Sequence, residues 1–346
     1  MSFPVNWRTV AGSLLAPLAR ALTGNVPRIL FLHRVGENTP RASDPKSLAQ
    51  QLQYLARHFT PLSLATLIEA QQAGRPLPSG AVVLTVDDGY ADFGQSVYPL
   101  LCHYEIPATL FVVSEFAAGS SWLWFDRLRY ICEQSPRLVL NVKIEGMLLR
   151  YSLQTALLRE QSWDSLATRC LSLPPADRET VIEDCARFCE VTLPRKPPAL
   201  YSSLGYQELR SLDSNLITIG AHTRTHPILS TCTDKEQWGE IAGSKEDLEE
   251  ALGRPVEFFC YPNGQPQDFN ARTRELVIEA GYTAAVTPVN SRICAGADLF
   301  LLPRLGVAGN FPAFRNEVNG LTELQGRLRG RAEHSPAGEI FGGSPS

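Results

Sequence analysis

Two carboxylates stand side by side at Asp87 and Asp88, ahead of Gly89, and two imidazoles stand four residues apart at His222 and His226. Each pair follows a short apolar run, as do His33 and the stretch Tyr261-Pro262-Asn263-Gly264. One Asp and two His can form a catalytic metal centre, in which three protein ligands leave a position open for water or substrate. That donor set suits Zn2+, with Co2+ or Ni2+ as alternatives. The neighbouring Asp, outside the coordination shell, can take a proton from the attacking water. Each piece also has an ordinary use. Asp-Gly after a strand is a turn signal, spaced histidines occur on polar surfaces, and Tyr-Pro-Asn-Gly is a turn by itself. Here they recur at the ends of four separate apolar runs of one chain.

Those runs must position the groups. They are Arg28 to Leu32, Ala81 to Val86, Ala108 to Val113, Leu216 to Gly220, Val256 to Cys260 and Tyr282 to Val286. Short, nearly continuous and rich in β-branched residues, they read as strands buried on both faces. Between them lie segments of helical period. Leu48 to His58 puts Leu48, Leu52, Leu55 and Phe59 on one stripe, and Lys235 to Leu252 and Ala271 to Ala280 behave alike, the last ended by Gly281. Alternation of this kind predicts an α/β fold of parallel βα units, whose catalytic groups hang from the carboxyl ends of strands. His222 and His226 have the spacing that shares a helix face, but Pro227 disfavours helix at His226, so the pair is expected on a loop.

The chain has 346 residues, 44% hydrophobic and 20% charged, which is ordinary for a protein with a real core and excludes a disordered or collagen-like chain. A net charge of -4 without basic runs argues against a nucleic-acid partner. No stretch reaches the roughly 20 apolar residues that span a bilayer, although Val10 to Leu22 could form an amphipathic helix that touches a membrane or packs on the domain. Eight scattered cysteines, none in a Cys-x-x-Cys pair, read as small core residues in a reducing cytoplasm, with possible membrane association left open. Zinc on Cys185 and Cys189 lacks a second ligand pair. The expected organisation is an N-terminal helical extension over 1–27, a barrel over 28–329 interrupted by a largely helical insertion at about 120–200, and a disordered tail over 330–346. The insertion opens with Ser121-Trp122-Leu123-Trp124-Phe125-Asp126, whose aromatics are read as anchors to the barrel rather than as a sugar platform.

These motifs resemble the polysaccharide deacetylases of the NodB-homology type. Thr85-Val86-Asp87-Asp88-Gly89 is similar to the family's first motif, His222-Thr223-Arg224-Thr225-His226 to its second, and Phe259-Cys260-Tyr261-Pro262-Asn263-Gly264 to a variant of its third. The stretch Leu30 to Val35 looks like its first strand. The resemblance implies a distorted (β/α) barrel with fewer than eight regular strands and a reaction that hydrolyses the N-acetyl group of an amino sugar, releasing acetate. It implies Asp87 as general base, and Asp88, His222 and His226 as ligands of a divalent metal. The Asn263 backbone N–H would be the oxyanion donor, with Tyr261 and Pro262 beside the substrate.

Two positions depart from the family's pattern. Cys260 stands where the third motif carries the Arg that orients the base, and Arg304 is the candidate substitute, against a plain surface Arg. The late His that many members use as general acid has no counterpart, since only His334 follows His226, and His33 is the best replacement. His58 and His103 read as structural. Two further readings stay open: removal of another acyl group, such as formyl, from a lipid-linked amino sugar, and a carbohydrate-binding or assembly protein that has lost catalysis.

Overall fold

The structure is a computed structural model that describes residue 19 and residues 26–36, 42–290, 293, 296–307 and 309–321. The expected tail over 330–346, and all of the N-terminal extension but residues 19, 26 and 27, lie outside the described residues.

Its centre is a parallel sheet wound into a barrel. The strands are β1 (Arg28–Leu32), β2 (Thr60–Pro61), β3 (Ala81–Val86) and β4 (Ala108–Val112), then, beyond the insertion, β7 (Ile217–Ala221), β8 (Phe258–Cys260), β9 (Ala284–Thr287), β10 (Leu302–Pro303) and β11 (Leu305–Gly306). Hydrogen bonding runs in the order β10-β9-β8-β7-β4-β3-β1-β11, with β2 beside β3. The two end strands are halves of one extended segment. Leu302 and Pro303 pair with Val286 and Thr287 of β9, whereas Leu305 and Gly306 pair with Leu30 and Phe31 of β1. A single segment therefore closes the ring, and Arg304 sits between its halves. All six strands expected from the apolar runs are present, shifted by no more than two residues at either end. The closing segment was not foreseen, because two residues per half give no readable periodicity.

Side chains alternate across each strand, so every second residue faces the interior. Ile29, Val83, Phe111, Phe258, Cys260, Ala284, Val286 and Leu302 make one packed cluster. Their neighbours Leu30, Leu84, Leu110, Ile219 and Phe259 pack outward with Leu48 and Leu52 of helix Pro45–His58 and with Ile241 and Leu248 of helix Asp234–Leu252. Burial on both sides explains why the strands read as continuous apolar runs. The helices start and stop where the sequence places caps: Thr233 and Glu236 form a capping box, and Gly253 ends the same helix at φ 67°.

The segment between β4 and β7 builds a core of its own. Helix Trp124–Gln134, the antiparallel hairpin β5 (Val139–Ile144) and β6 (Met147–Ser152), and helices Ala156–Cys170 and Pro175–Phe188 pack around Leu128, Ile131, Leu140, Trp163, Leu166 and Ile182. The hairpin is absent from the sequence expectations. It turns at Glu145 and Gly146, both at positive φ, a two-residue turn whose twist matches the paired strands. Cys132, Cys170, Cys185 and Cys189 are buried in this core as free thiols. Burial pushes the Cys185 thiol well up, so it packs as an apolar group and is not poised to bind zinc.

Inside the barrel there is little spare room. A Cβ on Gly220 would lie 2.5 Å from the Phe111 ring and 3.1 Å from the Phe258 carbonyl oxygen, all in the packed interior. Gly220→Ala is therefore expected to destabilise the protein by about 1–3 kcal/mol. Urea unfolding would show this as a lower midpoint at constant slope, and an unchanged midpoint would mean that β4 and β7 are not packed as described.

Candidate active site

The interior alternation runs on past the strand ends. Thr85 and Asp87 continue the face of Val83, His222 that of Gly220, and Arg304 that of Leu302. Asp87 is 2% exposed, and Arg304 grips it with both arms: Nη1 donates to Oδ1 at 2.7 Å and Nη2 to Oδ2 at 2.8 Å. Nη1 also reaches Thr85 Oγ1 at 2.9 Å, and Nη2 reaches Cys260 Sγ at 3.1 Å. The guanidinium lies 4.6 Å from the centre of the Phe31 ring. Burial alone would raise the Asp87 carboxyl, but the charge and hydrogen bonds of Arg304 more than reverse this and hold it well below the usual carboxylate range. Arg304 is thus a buried partner of Asp87, and Cys260 fills the space beside the pair.

Asp88 turns the other way. Its φ of 72° swings the side chain off the strand line, and Gly89 follows at 84°. Left-handed backbone costs an Asp less than most residues, because its short polar side chain tolerates it. Asp88 Oδ1 lies 3.6 Å from His222 Nε2 and 3.5 Å from His226 Nε2. His222 is oriented by its other nitrogen, Nδ1, 2.7 Å from the Cys260 carbonyl oxygen, so Nε2 points at Asp88. His226 lies on a loop, as Pro227 requires, with φ 59°. Thr223, at φ 66°, accepts the His226 N–H on Oγ1 at 3.0 Å and so closes the turn. Helix Asp234–Leu252 fixes this loop from outside: Glu240 accepts the Arg224 and Thr225 N–H groups, and Asp247 holds the Arg224 guanidinium.

Among the described residues, two buried groups of three have donor atoms within 4.8 Å of one another: Asp87, His222 and Cys260, and Asp88, His222 and His226. The first is a poor metal site. Asp87 is saturated by Arg304, and burial pushes the Cys260 thiol well up, away from the thiolate a metal takes. The second fits. Asp88 Oδ1 is buried without a hydrogen-bond partner among the described residues. Burial raises the Asp88 carboxyl and lowers both histidines, so the unpartnered charge of the first is disfavoured and the imidazoles are neutral, the form that binds metal. A cation among the three would offset these burial penalties.

His33 stands at the mouth, its side chain 51% exposed and its Nε2 3.9 Å from Asp87 Oδ2. Asn263 is exposed at φ 56°, and its side chain is tied to Asp268. Tyr261 is 1% exposed, stacked on Phe269 at 4.1 Å, and its hydroxyl donates to the Phe300 carbonyl. Its side chain packs the loop that carries Pro262 and Asn263. His58 and His103 are outside the cavity, which has a volume of about 540 Å³. What the sequence reading missed is the far wall of that cavity. Trp124 does anchor the insertion, its Nε1 donating to the His226 carbonyl at 3.0 Å, but Phe125, Asp126, Arg129 and Trp163 line the same space as the Asp and His groups.

Removing the Arg304 charge should be costly. Breaking one partner of a buried pair costs about 3–5 kcal/mol. In wild-type protein the depressed Asp87 adds stability that is present above about pH 4 and is lost as pH falls below that. In Arg304→Gln, burial, the largest influence on Asp87, outweighs the weaker pull of His33 and His222, the sign reverses, and stability contributed by Asp87 falls as pH rises. Urea midpoints from pH 3 to pH 6 should therefore show a gap between the two proteins that widens with pH, and a constant gap would refute the pairing.

Comparisons with known proteins agree with this geometry. The polysaccharide deacetylase family profile matches residues 74–147 and 200–285, which contain Asp87, Asp88, His222, His226 and Asn263 and leave out most of the insertion. A poly-β-1,6-N-acetyl-D-glucosamine N-deacetylase of Escherichia coli K12 is 43% identical over 78 residues, 22% of this chain and 11% of that protein, so only a small part of the relative is spanned. The solved deacetylase PplD of Streptococcus pyogenes, in complex with acetate, superposes with TM-score 0.57 at 18% identity over 85% of this chain and 97% of its own. IcaB of Ammonifex degensii superposes with TM-score 0.55 at 18% identity over 86% and 97%. With its two motifs at the ends of β3 and β7, on either side of β4 in one parallel barrel, the chain resembles the polysaccharide deacetylase family in sequence over residues 74–147 and 200–285 and shares the fold of these solved deacetylases.

Proposed function

We propose that this protein is a divalent-metal-dependent N-deacetylase that releases acetate from an N-acetylated amino sugar in a polysaccharide, oligosaccharide or glycolipid. The observation that carries the reading is the orphaned Asp88 Oδ1 facing two histidine nitrogens, beside an Asp87 locked in its ionised form. Asp88, His222 and His226 would hold the ion, most simply Zn2+, with Co2+ or Ni2+ as alternatives; bound there, it would polarise the acetamido carbonyl and acidify the attacking water.

The chain's own groups do the rest. Asp87 takes the water proton, and its tether to Arg304 keeps the carboxylate ionised and aimed. A carboxylate held this low is a weak base at rest, so it depends on acidified water and gives the proton up readily afterwards. The Asn263 N–H, offered by a left-handed turn, faces the developing oxyanion, a contribution of about 3 kcal/mol for a well-placed donor. The amine must leave protonated, and His33, at the mouth and within 4 Å of Asp87, is the donor we assign. The Asp87–Arg304 pair also argues against a non-catalytic role, since binding alone gives no reason to bury it.

N-acetylglucosamine polymers are the first substrates to try, given what the Escherichia coli relative acts on. The seven described cysteines are all free thiols, which supports a reducing compartment as the place of action. Among the described residues, no helix is long and apolar enough to cross a membrane.

Purified protein should bind one divalent ion, and Asp88→Ala or His222→Ala should abolish that binding in calorimetric titration with Zn2+. Acetate release from N-acetylglucosamine oligomers should fall at least 100-fold in Asp87→Asn with the ion retained. Formate release from an N-formyl analogue at higher kcat/KM would instead favour a deformylase. Absence of metal binding in the wild-type protein would overturn the assignment.

His33→Gln should lower kcat more than it raises KM. If only KM changes, the proton comes from elsewhere.

A further inference from the structure

We propose that the insertion builds a second sugar subsite, in which Phe125, Asp126, Arg129 and Trp163 seat the pyranose unit next to the one whose acetamido group is cleaved. The proposal rests on the deacetylase reading and names its substrate as a chain of at least two sugar units.

The cavity that holds Asp87, Asp88, His222 and His226 is continuous with this wall. Its volume of about 540 Å³ exceeds what one acetamido sugar fills. Asp126 is 4% exposed, and the Tyr90 hydroxyl, at 2.6 Å from Oδ2, is its only side-chain hydrogen-bond partner among the described residues. The carboxyl lines the cavity with one oxygen engaged by Tyr90, which leaves acceptor capacity on the cavity side that a sugar hydroxyl can take up in place of solvent. Burial pushes this carboxyl up to about 7, so it can also donate to a ring or hydroxyl oxygen.

The neighbouring groups are held as a rigid frame. The Arg129 guanidinium lies 4.5 Å from the centre of the Trp163 ring, and its Nε donates to Glu133 at 2.8 Å. Trp163 Nε1 donates to the Phe125 carbonyl at 2.8 Å. Phe125 meets the His226 ring edge to face at 5.4 Å, and Trp124 is bonded to the His226 carbonyl. The wall is therefore registered to His226 through direct contact, and ordering it on binding costs little. Aromatic faces beside polar groups suit the apolar face and rim of a pyranose. The charges here are mixed, the guanidinium groups of Arg34 and Arg129 beside the carboxyls of Asp126 and Asp164, with Arg34 paired to Asp92 and Arg129 to Glu133, which suits a neutral hydroxylated ligand better than a diphosphate.

The test is equilibrium binding of N-acetylglucosamine and of its β-1,6- and β-1,4-linked tetramers to zinc-loaded full-length protein, wild type and variants. We expect wild-type protein to bind at least one tetramer about tenfold or more tighter than the monosaccharide. Asp126→Ala should remove most of that preference and Asp126→Asn, which keeps an acceptor oxygen, should restore part of it. Zinc content and thermal midpoint of each variant exclude a folding defect. Equal preference in wild type and Asp126→Ala, or no binding of either tetramer to the wild-type protein, would overturn the subsite. Acetate release is read separately: tetramer binding that depends on Asp126 without any acetate release would leave the subsite standing and sink the deacetylase reading instead.

Discussion

Arg304 and Asp87 meet where the barrel closes. The segment that carries Arg304 pairs with β9 through its first half and with β1 through its second, so the guanidinium enters the interior at the seam itself. Four hydrogen bonds leave it, two to Asp87, one to Thr85 and one to Cys260, and these reach β3 and β8 from the closing segment. A buried charge pair of this kind contributes little net stability against an apolar alternative, yet losing one member is severe. Its value lies in geometry and in charge. One contact completes the ring, fixes the rotamer of a carboxylate and keeps that carboxylate ionised although it is buried.

Asp88 shows the complementary design. One residue along the chain from a fully paired carboxylate, it has no hydrogen-bond partner for Oδ1. The difference comes from backbone alone: Asp87 continues the strand, and Asp88 enters left-handed space. Thr223, His226 and Asn263 do the same at their loops. Four non-glycine residues in this conformation around one cavity store strain that the surrounding hydrogen bonds must hold, with the His226 N–H donating to Thr223 and the Thr225 N–H to Glu240. Strained loops on a rigid sheet are how a barrel directs groups inward that the strand pleat would send elsewhere.

The insertion has a core separate from the barrel's and still belongs to the site. Its first helix, still inside the family match, places Trp124 against the His226 loop and Asp126 against Tyr90, and Trp163, from the part that the match omits, lines the same cavity. A fold that keeps its chemistry at strand ends can change what it binds by changing what it inserts after a strand, since the catalytic groups do not move.

Much of this was legible in the sequence because it is local. Strand runs buried on two faces, helix stripes with their caps, the Asp-Asp-Gly and His-x-x-x-His spacings, and the bar that Pro227 sets against helix depend on residues within a few positions of one another. What the tertiary structure decided involves residues far apart in the chain. Arg304 could be nominated as the partner of Asp87, but only the closing segment, too short to show a period, makes the contact. The assignment of Asp88 rather than Asp87 to the histidines came by resemblance, and its physical cause is a positive φ that no composition reveals. The wall formed by Asp126 and Trp163 was beyond reach for the same reason. Apolar spacing shows that an aromatic is buried, and it does not show which cavity lies beside it.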